Sequence, residues 1–392
     1  MRGSGAAASA GSMRGLARYG LDALVVLGAL ALGTLGVPDP ARAVLLAAGD
    51  GTENTTAPAD DPGFANVGNR GGLSAVYIGN GWVLTASHVG VGPVVFGSNT
   101  YEPSPGGGFA FATTPGVSAD LIVFKLKKNP PLPALTISSE TPPPGAEVTL
   151  VGNGLNRGAA TSWNGISGWL WGTGSATRWG TNLVVSAPLD VTVGNIVTQA
   201  FYTDFTQPPP PPSEATAYES QGVPGDSGGA VFYKNGSSWE LAGILFGIDS
   251  FVNQPAGTAL YGNKTYAVDL AFYRTAILGF ASKPACSDGI DDDGDGFIDF
   301  PADPGCYTAT SGTESPACQD GIDNDGDGGI DYDGGASANH GVPLGPPDPQ
   351  CDVPYRNSET PSACGLGAEL AAVLPLLQRL RRSRRLRGNA RV

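Results

Sequence analysis

The sequence predicts an all-β protein, on three observations. The 392 residues include 59 Gly and 33 Pro, a composition that favours short strands and many turns over helices. From Leu73 onward, short runs rich in β-branched, aliphatic and aromatic residues alternate with Gly and Pro turns: Ser74 to Ile78, Trp82 to Thr85, Pro93 to Phe96, Leu121 to Leu126, Glu147 to Val151, Leu183 to Ser186, Ala230 to Tyr233 and Leu241 to Phe246. Runs of this length between turn signals are strands. The pattern fills residues 69–282, a span of about 215 residues that suits one domain of two β-barrels.

Before that domain, residues 1–43 carry Arg2, Arg14 and Arg18, an apolar run from Leu21 to Leu35, then Pro38, Pro40 and Ala41-Arg42-Ala43. This is the three-part layout of a secretory signal peptide with a small-x-small site after Ala43. The apolar run, at about 15 residues, is short for a membrane span. Residues 44–68 hold Thr55, Thr56, Pro58, Asp60, Asp61 and Pro62 and read as a polar, extended lead-in. Within the β region, Pro208 to Pro212 are five consecutive prolines; such a run adopts polyproline II, cannot be a central strand, and reads as a surface loop insertion. From Val268 to Phe280, apolar Leu270, Tyr273, Ile277 and Phe280 recur at helical spacing and predict one helix.

Beyond Lys283 the composition changes. Cys286-Ser287-Asp288-Gly289-Ile290-Asp291-Asp292-Asp293-Gly294-Asp295-Gly296-Phe297-Ile298-Asp299 aligns residue for residue with the stretch from Cys318 to Asp331. In the first copy Asp291, Asp293, Asp295 and Asp299, with Gly296 at the turn, follow the first nine positions of a Ca²⁺ loop. The second copy offers Asp323, Asp325, Asp327 and Asp331. An EF-hand would need a bidentate Glu at the twelfth position, where this chain has Ala302 and Gly334, and the flanking helices are missing. The region 283–363 instead resembles the short aspartate-rich Ca²⁺ repeats of thrombospondin type 3 and related bacterial stalk modules. That resemblance implies a Ca²⁺-stiffened stalk, separate from the barrels, in which carboxylates and disulfides replace a core. Cys286 with Cys306 and Cys318 with Cys351 would each close one repeat, and an exported location permits the oxidation.

Cys364 is left over. Residues 364–392 begin Cys364-Gly365-Leu366-Gly367, continue apolar to Leu377 and end in Arg379, Arg381, Arg382, Arg384, Arg385 and Arg387. This layout resembles the C-terminal sorting signals of Gram-negative bacteria, of the PEP-CTERM and MYXO-CTERM kind. It implies retention at the membrane or cell envelope, extracellular or surface exposure, and a sorting or processing enzyme as partner, with the arginines on the cytoplasmic side.

The formal charge of -14 understates the acidity of the middle of the chain, because basic residues cluster at both ends: residues 44–364 hold 11 Lys and Arg against 33 Asp and Glu. Such a surface repels phosphates, which excludes nucleic acid as a partner and favours cations.

The chemistry is carried by Gly225-Asp226-Ser227-Gly228-Gly229, which resembles the nucleophile loop of trypsin-like, chymotrypsin-fold serine proteases. Of only two histidines, His88 lies in Trp82-Val83-Leu84-Thr85-Ala86-Ser87-His88-Val89, similar to that family's V-L-T-A-A-H-C signature. Ser118-Ala119-Asp120-Leu121-Ile122-Val123-Phe124-Lys125-Leu126 is similar to its aspartate-bearing strand, D-I-A-L-L-K-L. The order His, Asp, Ser separates this pattern from the G-x-S-x-G elbow of α/β-hydrolases, where the histidine comes last. The only histidine after Ser227 is His340, in the aspartate- and glycine-rich tail.

The resemblance implies a double six-stranded β-barrel, a terminal helix closing the second barrel, and hydrolysis of a protein or peptide substrate. Ser227 would be the nucleophile, His88 the base and Asp120 its orienter, with the N–H groups of Gly225 and Ser227 as oxyanion hole and no metal needed for catalysis. The chain departs from the family in three places. Val89 replaces the cysteine after the histidine, no Ile-Val-Gly-Gly precedes Leu73 to supply an N-terminus for Asp226, and Gln221 with Phe246 to Ile248 occupies the positions that set preference for basic side chains in trypsin. A protease-like barrel can also serve as a catalytically silent scaffold for surface binding or adhesion, and that is the rival expectation.

Overall fold

A computed structural model describes residues 44–186, 188–208 and 215–360. The expected signal peptide, the body of the proline run and the sorting tail lie outside the described residues.

The chain opens on a buried two-residue strand, β1 (Leu45–Leu46), and a short 3-10 turn at Phe64–Asn66. Seven strands follow: β2 (Val67–Arg70), β3 (Leu73–Gly79), β4 (Trp82–Thr85), β5 (Val94–Phe96), β6 (Asn99–Tyr101), β7 (Pro103–Thr114) and β8 (Val117–Leu126). They form one antiparallel sheet in the order β6-β5-β2-β3-β4-β8-β7. After a long extended connection come β9 (Glu147–Gly152), β10 (Arg157–Trp163), β11 (Ile166–Trp171), β12 (Arg178–Leu183), β13 (Leu189–Val193), β14 (Ile196–Asp204), β15 (Ser220–Gln221), β16 (Ala230–Asn235), β17 (Ser238–Asp249), β18 (Thr258–Leu260) and β19 (Lys264–Asp269). Seven of these make the second sheet, in the order β12-β9-β16-β17-β19-β14-β13. β10, β11 and β18 form a three-stranded flap, and β1 pairs with β15.

The molecule is mostly β, and its two large sheets are the half-barrels of a chymotrypsin-like fold, each with seven strands in place of the expected six. A shared core holds them together, with Val76, Trp82, Leu84 and Leu121 from the first sheet and Val151, Phe232, Leu241 and Ile244 from the second, each essentially inaccessible to water. At about 25 cal/mol per Å² of apolar area removed from water, this interface is the main force holding the site's two halves in register.

Three local expectations differ from what is observed. The lead-in is not uniformly polar: Val44 and Leu45 are fully buried, and Leu45 pairs with Gln221 beside the serine loop. The run Leu183 to Ser186 is not a strand, because β12 ends at Leu183 and Val184 forms only an isolated bridge to Thr203. The helix α1 (Leu270–Ala281) is capped by the Asp269 carboxylate, which accepts from Ala271 N at 3.1 Å. Its apolar stripe does not close the second barrel alone. Tyr273 and Phe280 pack on Phe111, and Phe280 also on Trp82 and Phe109, all of the first sheet. The Tyr273 hydroxyl hydrogen-bonds Thr113 on β7 at 2.6 Å and accepts from Gln199 N on β14 at 3.1 Å, so the helix ties both sheets.

Residues 285–360 contain only three 3-10 turns and two disulfides, Cys286–Cys306 and Cys318–Cys351. The first repeat is docked on the barrels rather than standing free. Ile290 is 6% exposed within the main core, and Lys125 of β8 forms ion pairs with Asp288 and, at 2.5 Å, Asp292.

Candidate active site

Asp120 sits in β8, whose pairing with β4 places Thr85 opposite Ile122. At the end of β4 the chain turns, with Val89 N donating to Ala86 O at 3.0 Å, and the turn brings His88 against Asp120 of the neighbouring β8. The His88 imidazole Nδ1 lies 2.7 Å from Asp120 Oδ2. Asp120 Oδ1 accepts from Ser87 Oγ at 2.8 Å and from His88 N at 3.0 Å, and Asp120 N donates to Thr198 Oγ1 of β14 at 2.9 Å. Burial pushes the Asp120 carboxyl up, but the bond and charge of His88 and the bonds from Ser87 and the backbone outweigh it and hold it below the usual carboxylate range. It is therefore an anion at neutral pH, able to hold one imidazole tautomer and to stabilise an imidazolium.

The loop Gly225-Asp226-Ser227-Gly228-Gly229 precedes β16 and is pinned from both barrels. Ser74 of β3, fully buried, donates its N–H to Ser227 O at 2.9 Å and its hydroxyl to Gly225 O at 3.0 Å. Gly228 adopts φ +85°, and a Cβ there would collide with Ser74 O and Thr85 Oγ1, so only glycine lets the serine loop lie this close to the strand that leads to His88. Gly225 has φ +105°, with Asn153 O at 2.8 Å from where a Cβ would stand. Within the loop the N–H groups of Asp226, Gly228 and Gly229 donate to Val223 O, Leu245 O and Asp226 O. Among the described residues the N–H groups of Gly225 and Ser227 have no partner, and neither has the Ser227 hydroxyl.

Asp226 is satisfied without a new N-terminus. Its Oδ1 accepts from Gly154 N at 2.6 Å and its Oδ2 from Val223 N at 2.8 Å. The carboxylate fills the space that a Cβ on Gly152 or Gly154 would need. Complete burial pushes this carboxyl up to about 7, although the two N–H bonds and the Arg178 charge pull it down. Nearby, Gln221 is buried and donates its amide to Lys264 O at 3.2 Å.

Of these residues, Ser87 stands beside His88 in the motif and was within reach of sequence reasoning. Ser74, Gly152, Gly154 and Thr198 carry no local signal, since each acts through a strand distant in sequence.

The second candidate cluster lies in the repeats. The structure brings Asp291, Asp293 and Asp295 together, with carboxylate oxygens within 4.8 Å of one another, and likewise Asp323, Asp325 and Asp327. The fourth aspartate of each set does not join them. Asp299 accepts from Gly289 N at 3.0 Å and Asp331 from Gly321 N at 2.7 Å, because both residues adopt positive φ and turn their carboxylates back onto the start of their own loop. In the first repeat Asp303 and Glu314 approach instead, within 4.8 Å of Asp293. Burial, helped by the charge of Asp295, pushes Asp293 up to about 8, and burial pushes Glu314 up to about 8. His340 lies in the second repeat, at the end of the short 3-10 turn Ser337–Asn339 and in left-handed backbone.

Residues 73–244 match the family model described as a trypsin-like peptidase domain. No curated protein matches the chain. Among solved structures, the chain is similar to the Rv3671c protease from M. tuberculosis in its active form, at 15% identity over 52% of this chain and 70% of that one, with a TM-score of 0.32. It is similar to the NS6 protease from murine norovirus 1 at 17% identity, 55% and 93% coverage and a TM-score of 0.32. A mutant of human heparin binding protein matches at 16% identity, 57% and 94% coverage and a TM-score of 0.38.

Proposed function

We propose that residues 69–282 are a serine endopeptidase domain acting on protein or peptide substrates through His88, Asp120 and Ser227. The observation that carries this reading is the 2.7 Å His88–Asp120 bond together with a serine loop whose N–H groups are all taken except those of Gly225 and Ser227. Ser227 Oγ attacks the scissile carbonyl carbon while His88 Nε2 takes its proton. The carbonyl oxygen gains the negative charge and is held by the two free N–H groups, which supply the largest single share of transition-state stabilisation. The intermediate collapses as His88 returns the proton to the leaving amine. Water then attacks the acyl ester, giving its proton to His88, and Ser227 recovers it. Bonds from Ser87 and the backbone keep Asp120 fixed and ionised throughout.

The proposal extends to location: the enzyme is exported with removal of its leader after Ala43, and residues 364–392 retain it at the cell envelope. The catalytic reading is tested with a fluorophosphonate probe on purified protein, with Ser227→Ala as control. Labelling of the wild type and not of the variant is the expected result. A folded wild type that takes no label would give way to the rival reading, a silent binding scaffold.

A further inference from the structure

The two acidic repeats extend beyond their loops. Each loop is followed by Asp-Pro-x-Cys, Asp303-Pro304-Gly305-Cys306 in the first and Asp348-Pro349-Gln350-Cys351 in the second, and then by a glutamate eight residues after the cysteine, Glu314 and Glu359. The spacing is kept although the aspartate comes four residues after Asp299 in one copy and seventeen after Asp331 in the other. All four acids are interior: Asp303 and Asp348 are 2% exposed, Glu314 and Glu359 1%. Glu314 is locked in place, accepting from Asp292 N at 2.7 Å and Asp299 N at 2.9 Å, and Glu359 accepts from Asn324 N at 2.5 Å and Asp331 N at 2.8 Å.

What these acids lack is a counter-charge. One oxygen of Asp303, one of Asp348, one of Asp293 and the amide oxygen of Gln319 are buried without any hydrogen-bond partner. Among the described residues no Lys or Arg forms an ion pair with Asp293, Asp303, Glu314, Asp348 or Glu359. An unpaired buried carboxylate oxygen costs several kcal/mol, and the same orphan at the same place in both copies marks a missing ligand rather than an accident of packing. Cys306 and Cys351 lie near the glutamates but are consumed in disulfides, so every available donor is an oxygen.

We propose that each repeat binds one hard divalent cation, Ca²⁺, on a buried floor of Asp303 and Glu314 (Asp348 and Glu359 in the second copy) beneath the loop aspartates, and that the first ion braces the protease barrel. All-oxygen donors in excess of four select Ca²⁺ over Mg²⁺, which retains water and demands octahedral geometry. The link to the barrel is direct. Glu314 holds the Asp292 backbone, and the Asp292 side chain holds Lys125, which lies 5.5 Å over the Trp82 ring and five residues after Asp120 on β8. The Asp292 carbonyl also accepts from Ser104 Oγ of β7 at 3.3 Å. An ion that fixes Glu314 therefore stabilises β8, the strand that carries Asp120, and its neighbour β7, and this holds whether or not the domain is catalytic.

The test exploits the tryptophans. All six lie before the repeats, Trp82, Trp179 and Trp239 in the two large sheets and Trp163, Trp169 and Trp171 in the flap, so a fluorescence melt of the full chain reports residues 69–282 and not the repeats. Calorimetric titration with CaCl₂ should show two ions per wild-type chain, with dissociation constants on the order of 10⁻⁴ to 10⁻³ M, and about 10 mM CaCl₂ should raise the fluorescence midpoint by roughly 2–6 °C. Asp303→Asn should lose one ion and most of the shift; Asp348→Asn should lose the other ion and keep the shift. Far-ultraviolet circular dichroism checks that both variants are folded. Absence of binding by the wild type at millimolar CaCl₂, two ions retained by Asp303→Asn, or bound Ca²⁺ that leaves the fluorescence midpoint unmoved would each overturn the proposal.

Discussion

Asp226 carries a proton at a pH where most aspartates do not. With its folded value at about 7 against 3.8 for an unperturbed aspartate, the native state binds more protons than the unfolded chain between roughly pH 4 and 7. Its contribution to stability is complete below about pH 4 and is lost as the pH rises through about 7. Glu219, buried beneath Thr206 and Thr216 and also pushed up to about 7, acts in the same sense. Urea unfolding measured from pH 5 to 8 should therefore show falling stability, with a slope shallower by up to one proton in Asp226→Asn. The same substitution should cost about 1–3 kcal/mol at pH 5, because an amide NH₂ cannot accept from Gly154 N or Val223 N. At the nucleophile, Ser227→Ala and His88→Ala should each lower kcat by roughly 10⁴- to 10⁶-fold, and the double variant should be hardly worse than either single one. Near-wild-type hydrolysis by either folded single variant would remove the triad. The three proposed catalytic residues are legible in the sequence because each sits in a short motif read along the chain. Ser74 is not, since nothing adjacent to it shows that its N–H and hydroxyl will meet a loop some 150 residues away.

Among the elements, β8 is the one on which the two chemistries meet. Its inner face carries Asp120, and its end carries Lys125, a lysine only 4% exposed between two aspartates of the first repeat. Breaking a buried ion pair from one side leaves the other charge unpaired, so Lys125→Met should destabilise the protein by about 3–5 kcal/mol in equilibrium unfolding. Replacing Lys125 with Met together with Asp288 and Asp292 with Asn should recover much of that loss. A single variant within about 0.5 kcal/mol of wild type would show that the docking contact is marginal. The helix α1 was legible from its 3.6-residue spacing, but its partner was not. Periodicity reports that Tyr273 and Phe280 share a face and is silent on which sheet that face covers. The run Leu183 to Ser186 failed for the opposite reason: β-branched Val184 and Val185 favour extended backbone, yet the ladder with β9 is made by Arg178 to Leu183, where Gly180 and Asn182 interrupt the strand signal of Trp179 and Thr181.

At the scale of the molecule, the barrels and the first repeat are connected through Lys125, Ile290 and Ser104. On the proposed retention of an active peptidase through its tail, deleting residues 365–392 should release that activity into the medium, measured as peptidase activity in culture supernatant against the cell fraction. Activity that stays with the cells after the deletion would count against retention through the tail. The acidic middle of the chain, with its excess of carboxylates over basic groups, should make the whole protein more resistant to unfolding as divalent cations are added and less so as they are chelated.

Reading the chain alone suffices for the all-β class, the boundaries of strands with clean turn signals, the His-Asp-Ser order and the two disulfide-closed acidic repeats. Each of these is written in local spacing: period two for strands, glycine where the backbone must turn, cysteines flanking a loop. Folding settles the rest. Val44 and Leu45 are buried because a strand beside the serine loop needed a partner. The carboxylate of Asp226 is held by two backbone N–H groups because glycines at 152 and 154 leave room for it. Asp303 and Glu314 come within reach of Asp293, while Asp299 turns back onto Gly289 N, because the chain closed by the Cys286–Cys306 disulfide folds against the loop. These contacts join residues far apart in sequence, and a residue type carries no record of which distant backbone will pass beside it.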